Sequence, residues 1–178
     1  MKTTLFIFLL LKCLAVIGQT STNVSITLPP VSLVDVVPAA SGNVVLSMTA
    51  PVEAGTIVGS ATPSANTWLI FTSAVQPGVT RSIKGDIIGT LPAGIKLRLN
   101  VAAYAGTGQG FTAGSSTVTS SIYLTNLATT FISNIRGAYT GTGAGEGFKL
   151  TYSLEIDSYD KIRSGTSQVT VRYTMVDN

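Results

Sequence analysis

Few residues in this 178-residue chain are able to do acid–base or nucleophilic chemistry, and most of them are carboxylates. The chain has no histidine and one cysteine, so Ser-His-Asp and Cys-His pairs are excluded and zinc loses its preferred ligands. Two carboxylates facing one cleft would suit glycoside hydrolysis. The candidates are Asp35, Glu53, Asp86, Glu146, Glu155, Asp157, Asp160 and Asp177.

Most of these carboxylates lie at expected turns or strand ends, where solvated acids are common, and Glu155 falls on the polar side of its strand. The stretch from Asp157 to Asp160 lacks the dense Asp/Asn ligand spacing of a calcium loop. The sequence therefore predicts a protein that is not an enzyme, with no catalytic residue, no cofactor and no metal site.

Two glycine-rich stretches echo each other along the chain. Each follows an Ala-Tyr pair and ends at a phenylalanine, Phe111 or Phe148. A phosphate-binding loop would need a helix after its glycines, but Phe148 begins an alternating strand pattern. The stretches are therefore interpreted as hairpin loops, duplicated or similar by chance, whose glycines tolerate positive φ. Their candidate ligand-loop glycines are Gly106, Gly108, Gly110, Gly141, Gly143 and Gly145.

The N-terminus has the order of a secretory signal peptide. Lys2 supplies a basic start, residues 5–11 form an apolar run, and Val16-Ile17-Gly18 offers a cleavage site. The run is shorter than the roughly 20 apolar residues of a membrane-spanning helix. Lys12 also precedes Cys13, where a lipoprotein would have a very small residue. The prediction is a signal peptide over 1–18 and export across a bacterial-type inner membrane.

Cleavage would change both the sulfur content and the charge of the chain. It would remove the single cysteine, and eleven basic residues less Lys2 and Lys12 would leave nine, against eight acidic ones. A net charge near +1 gives no basic patch for nucleic acid. About 160 residues would remain, enough for one core without disulfides.

Period-two alternation of apolar and polar residues recurs through the exported part. It is clearest over 95–101, 148–156 and 168–175, with further candidates at 22–28, 31–37, 43–49, 67–74, 81–88, 116–124 and 129–138. Turn signals such as Pro29-Pro30, Gln76-Pro77-Gly78 and Leu91-Pro92-Ala93-Gly94 separate these strands.

This pattern predicts an all-β fold, a single antiparallel β-sandwich of about ten strands with an Ig-like arrangement, over residues 19–178. A small barrel is the architectural alternative. Trp68, in the run Trp68-Leu69-Ile70-Phe71, is predicted to lie in the core; an exposed tryptophan would instead be able to stack on a sugar.

The C-terminal segment carries a further pattern. Tyr159 precedes a turn containing Ser164-Gly165-Thr166, and the last strand alternates threonine with apolar residues and Tyr173. Over residues 159–176 this ending resembles bacterial pilin-like secreted domains, of the spore coat protein U type and of chaperone–usher fimbrial subunits. It differs from the fimbrial pattern because Tyr173 is not next to last and the cysteine pair of those subunits is absent. The resemblance implies a subunit whose N-terminal extension completes the open sheet of its neighbour.

The N-terminal part of the exported chain has a pattern suited to that role. Val24, Ile26 and Leu28 alternate with Ser25 and Thr27, so residues 22–28 are either a donor strand or the domain's own first strand.

The sequence thus predicts a secreted or cell-surface structural protein, with the periplasm as transit, that is a fibre, pilus-like or coat subunit. Its partners would be further copies of itself or other surface proteins, and the membrane would be met only through the signal peptide. The alternative is a monomeric extracellular adhesin or carbohydrate-binding module that binds glycans at its loop tips.

Overall fold

The computed structural model describes residues 21–37, 44–59, 61–111 and 116–178, and within them the chain forms ten strands and one short 3-10 turn, Tyr159–Lys161. The strands are β1 (Val31–Val37), β2 (Ser64–Ala74), β3 (Arg81–Ile88), β4 (Ile95–Ala105), β5 (Thr117–Val118), β6 (Ser121–Leu124), β7 (Thr129–Ile135), β8 (Ala138–Tyr139), β9 (Gly147–Ile156) and β10 (Thr170–Asp177). The signal peptide over 1–18, with Cys13, lies outside the described residues.

The strands form two antiparallel sheets. The six-stranded sheet has the order β1-β2-β9-β4-β6, and β8 pairs with β2 beyond the end of β9. The four-stranded sheet has the order β10-β3-β7-β5. The first and last described strands, β1 and β10, therefore lie at the edges of different sheets.

The core forms where the inward faces of the two sheets meet. In β4 the alternation is direct, because Leu97, Leu99 and Val101 are buried while the residues between them are more exposed. The largest fully buried side chains include Phe131 and Ile83 from the smaller sheet and Phe148 from the larger one. The all-β prediction is confirmed, and the two-sheet arrangement is consistent with a β-sandwich.

Several predicted strands differ from the observed ones. Residues 22–28 are in no strand, and the first described strand is β1, which begins after Pro29-Pro30. Proline has no N–H for the ladder, so two in succession end the pairing there. Residues 44–48 also form no strand, although Thr49 bridges Gly59. The predicted strand over 116–124 is split into β5 and β6, which pair in different sheets.

Trp68 is not in the core, so that prediction is wrong. Its neighbours Leu69 and Phe71 are buried, and alternation along β2 therefore turns Trp68 and Ile70 to the outer face of the larger sheet. The Nζ of Lys149, which is its partner on β9, lies 5.9 Å from the centroid of the Trp68 ring. The sequence run was apolar on both faces, so pattern alone did not assign the buried side.

Candidate functional site

The segment before β1 exposes a row of apolar side chains. Every residue from 21 to 30 is exposed, and Val24, Ile26 and Leu28 are 76%, 87% and 84% exposed. These three side chains recur at every second position, which in an extended chain places them on one face. The segment therefore has the sequence pattern of a half-buried strand, while within the described residues it lies outside both sheets.

The C-terminal strand β10 offers an edge of the core. Within the described part of the chain it pairs with β3 and with no other strand. Its inward side chains, Val171, Tyr173 and Met175, pack against the core but stay only half-buried. The alternating Thr170, Arg172 and Thr174 face outward and are exposed. An edge strand of eight residues has a row of backbone groups available for pairing.

An edge strand of the larger sheet, β1, covers the core in the same incomplete way as β10. It pairs with β2 in the register that places Val34 beside Phe71 and Val36 beside Leu69. Like the inward residues of β10, Val34 and Val36 pack against the core and are only half-buried. The sheets therefore leave a seam between β1 and β10 where the core is incompletely covered; this seam is called the β1–β10 seam below.

One end of the seam is held by a buried guanidinium group. Arg81, 5% exposed at the start of β3, is ion-paired with Asp177 of β10 and donates a hydrogen bond to the Val31 carbonyl of β1. Longer contacts of 3.4 Å reach Ser73 Oγ and the Ala74 carbonyl. Nothing in the local sequence marks Arg81, because its four partners come from three separate strands.

The interior beneath β10 contains a polar pair. The hydroxyls of Tyr152 and Tyr173 are 2.6 Å apart, so one donates to the other across the two sheets. Tyr173 also packs edge-on against Phe131, at 5.7 Å between ring centroids. Burial raises the pKa of both phenols, and for Tyr173 the neighbouring Tyr152 adds to the increase.

Several of the carboxylates are engaged in structural pairs. Asp86 lies within β3, only 3% exposed, and accepts two hydrogen bonds from Arg172, its register partner on β10. Glu155 accepts from Arg98 at 2.7 Å and from Tyr123 at 2.7 Å. These hydrogen bonds, first from Arg98 and then from Tyr123, lower the pKa of Glu155.

Asp157 pairs with Lys96 at the edge of the same face, and the pKa of Lys96 is raised by its hydrogen bond to Asp157. Asp160 accepts a hydrogen bond from the neighbouring Ser158 hydroxyl. Across the residues that the structure describes, no group of three or more acidic or thiol ligands gathers where a metal ion would bind.

The two glycine-rich loops come together. Gln109 and Tyr139 exchange backbone hydrogen bonds of 3.0 Å, and the Glu146 carboxylate accepts from the backbone N–H of Thr107. The Tyr104 hydroxyl donates to the Thr140 carbonyl and accepts from the Gly108 N–H. Among the candidate ligand-loop glycines, φ is positive at Gly106, Gly110, Gly141 and Gly145 and not at Gly108 or Gly143.

Close packing accounts for most of these glycines. A Cβ at Gly106 or Gly141 would meet the Glu146 carboxylate, and one at Gly110 would meet the Gly137 carbonyl, all at 2.5 Å or less. At Gly145 the same position has open space around it, and at Gly143 the nearest atom is 3.9 Å away. The loops are therefore held by contacts to each other, while Gly106 and Gly145 remain exposed.

Comparison with known proteins adds no relative: the chain matches no family model, no curated protein and no solved structure. Among the described residues, no helix has both the length and the apolar composition needed to cross a bilayer. The candidate site therefore rests on the exposed segment 22–28 and the β1–β10 seam.

Proposed function

We propose that this chain is a secreted, non-catalytic structural subunit of a surface fibre or coat, with a pilin-like sandwich that polymerises by strand addition. Residues 22–28 of one copy would add to the β1–β10 seam of the next. The observation that carries the proposal is the alternating row of Val24, Ile26 and Leu28, each at least 76% exposed beside a domain with an open strand edge.

The dimensions of donor and acceptor agree. β10 is eight residues long and its inward side chains recur at every second position, as do the three apolar side chains of the seven-residue donor. A strand added along β10 would place Val24, Ile26 and Leu28 over the half-buried residues of the seam.

The energetic argument is the burial of side chains that are exposed in the single chain. Each of the three would contribute about 1.5–3 kcal/mol on full burial. Backbone hydrogen bonds along β10 would add to this, and the ordering of the donor would oppose it.

The first prediction concerns the donor face. In the chain from residue 19 onward, Ile26→Asp should abolish polymers because a carboxylate would enter the apolar seam without a partner. Thr27→Asp, the matched control on the opposite face, should leave them intact. Light scattering after size exclusion, with electron microscopy of the same fractions, measures both.

A synthetic peptide of residues 21–29 gives an independent test on the unmodified chain. In excess it should occupy the seam and shorten the polymers, whereas the same peptide with Ile26→Asp should not. A clean monomer at high concentration, unchanged by Ile26→Asp, would contradict strand addition between copies, and so would polymers equally sensitive to both substitutions.

A further inference from the structure

The outer face of the larger sheet is apolar over its first strands. On β1 and β2 the outward side chains include Leu33, Val37, Trp68 and Ile70, and Tyr139 of β8 lies beside Thr72 in the adjoining row. Leu33 is 64% exposed and Tyr139 is 45% exposed. These residues are called the outer apolar face below.

The rest of the same outer surface is polar. On β4 and β9 it presents Lys96, Arg98, Ser153 and Glu155, which are joined by hydrogen bonds, ion pairs or cross-strand pairing, and on β6 it presents Tyr123, which donates to Glu155. The outer apolar face and this polar surface belong to one sheet, so they differ in side-chain composition and not in backbone structure. A solvent-facing strand normally alternates apolar inward with polar outward, and β1 and β2 depart from that rule on the outward side. Leu33 and Tyr139 are exposed there and Val37, Trp68 and Ile70 are half-buried, so a small apolar surface is left for a partner to cover.

Two opposite charges border the outer apolar face. Asp35 on β1 is exposed and lies beside Ile70, and Lys149 on β9 lies beside Trp68. The Asp35 carboxylate accepts a hydrogen bond from the backbone N–H of Val36, with 2.7 Å between Oδ1 and N. The two residues lie on either side of β2, two strand spacings (roughly 10 Å) across the sheet and two residues (about 7 Å) along it, or roughly 12 Å apart.

We infer that the outer apolar face pairs with the same face of a second copy of this chain. A twofold axis in the interface and parallel to β2 would place β1 of one copy over β9 of the other. Asp35 would then lie near Lys149 of the second copy, one two-residue step (about 7 Å) along the strand, which a lysine side chain spans. The same pair forms twice, once on each side of the axis.

The composition favours a protein partner over a sugar. Leu33, Val37 and Ile70 have no hydrogen-bonding side-chain groups for hydroxyls, and the Lys149 ammonium group already lies over the Trp68 ring. The apolar part spans three strands by about five residues, roughly 14 Å by 14 Å. That is smaller than the ~800 Å² per partner of a stable dimer, so the pairing is weak between free subunits and becomes effective where polymers hold many copies side by side.

The test is made in the Ile26→Asp chain, which cannot add its donor strand, so the result does not depend on the proposed function. Sedimentation velocity over a wide concentration range should show reversible self-association. Asp35→Lys and Lys149→Asp should each weaken it by about tenfold or more, because like charges would meet across the axis. The double variant Asp35→Lys/Lys149→Asp should restore it.

Trp68 is the one tryptophan of the chain and lies in the proposed interface, so its fluorescence emission should shift to shorter wavelength with the same concentration dependence. Lys161→Asp, a charge reversal on the exposed 3-10 turn, is the control and should change nothing. Single reversals without effect, a double variant that is not restored, or binding of a soluble polysaccharide at Trp68 without self-association would each overturn the inference.

Discussion

At the scale of single residues, the Tyr152–Tyr173 pair makes stability depend on alkaline pH. Burial raises the pKa of both phenols in the folded chain, so the folded state holds them neutral. Their contribution is fully present below about pH 10, the ordinary tyrosine value, and is lost as the pH rises above it, because the unfolded chain then releases protons that the folded chain keeps. Urea denaturation from neutral to strongly alkaline pH should show this loss.

The hydroxyl pair also provides its own control. Tyr152→Phe or Tyr173→Phe alone leaves one hydroxyl without its partner and should destabilise by about 1–3 kcal/mol. The double variant removes both hydroxyls. It should therefore lose less stability than the two single variants summed, and its stability should fall less at alkaline pH than that of the unchanged chain. If the stability losses of the two single variants add up to that of the double variant, the 2.6 Å contact between the hydroxyls contributes nothing to stability.

At the scale of elements, alanine substitutions in the two joined glycine loops separate the effect of close packing from the effect of lost backbone freedom. Neither Gly108 nor Gly143 has positive φ, so alanine strains neither backbone. At Gly108 a Cβ would lie 1.9 Å from the Tyr139 carbonyl oxygen, whereas at Gly143 the nearest atom is 3.9 Å away. Gly108→Ala should therefore destabilise by about 2 kcal/mol or more, and Gly143→Ala should be neutral or stabilise by about 0.4–1 kcal/mol.

Thermal unfolding of the two alanine variants makes the comparison. Equal melting temperatures would mean that the loops move apart freely and that their mutual hydrogen bonds do not hold them. A large loss at Gly108 alone would agree with loops that are locked together through Tyr104, Thr140 and Glu146.

At the scale of the whole molecule, Arg81 joins the edges of the two sheets. It holds β10 through Asp177 and β1 through the Val31 carbonyl, at the end of the seam from which the donor segment leaves. Arg81→Met keeps the length of the side chain and removes these charged hydrogen bonds, at a cost of about 1.5–3 kcal/mol. Amide hydrogen exchange should accelerate most in β1.

Arg163→Met is the matched control, since Arg163 is exposed and donates to the nearby carbonyls of Asp160 and Ile162. It should change stability by no more than about 0.5 kcal/mol. If both arginine variants unfold at the same urea concentration, or if exchange in β1 is unaffected by Arg81→Met, the two edges are held by other contacts.

The sequence by itself determined the local properties of the chain. Two-residue alternation predicted β1, β3 and β9 to within one residue of their observed limits, and β4 and β10 with at least one end displaced by two to four residues, because side-chain direction in a strand depends only on the residue's own position. The absence of histidine and the low number of acids limited the available chemistry in the same way.

Only the tertiary structure decided which strands are neighbours and which faces stay uncovered. Residues 22–28 and β1 have similar apolar patterns, yet within the described part of the chain only β1 has a partner strand, because Pro29-Pro30 separates them and β2 offers one edge. Trp68 and Phe71 belong to one apolar run, and long-range register placed one outside and the other inside. The β1–β10 seam exists because the chain's first and last described strands fall at edges of different sheets, which depends on pairing between distant residues.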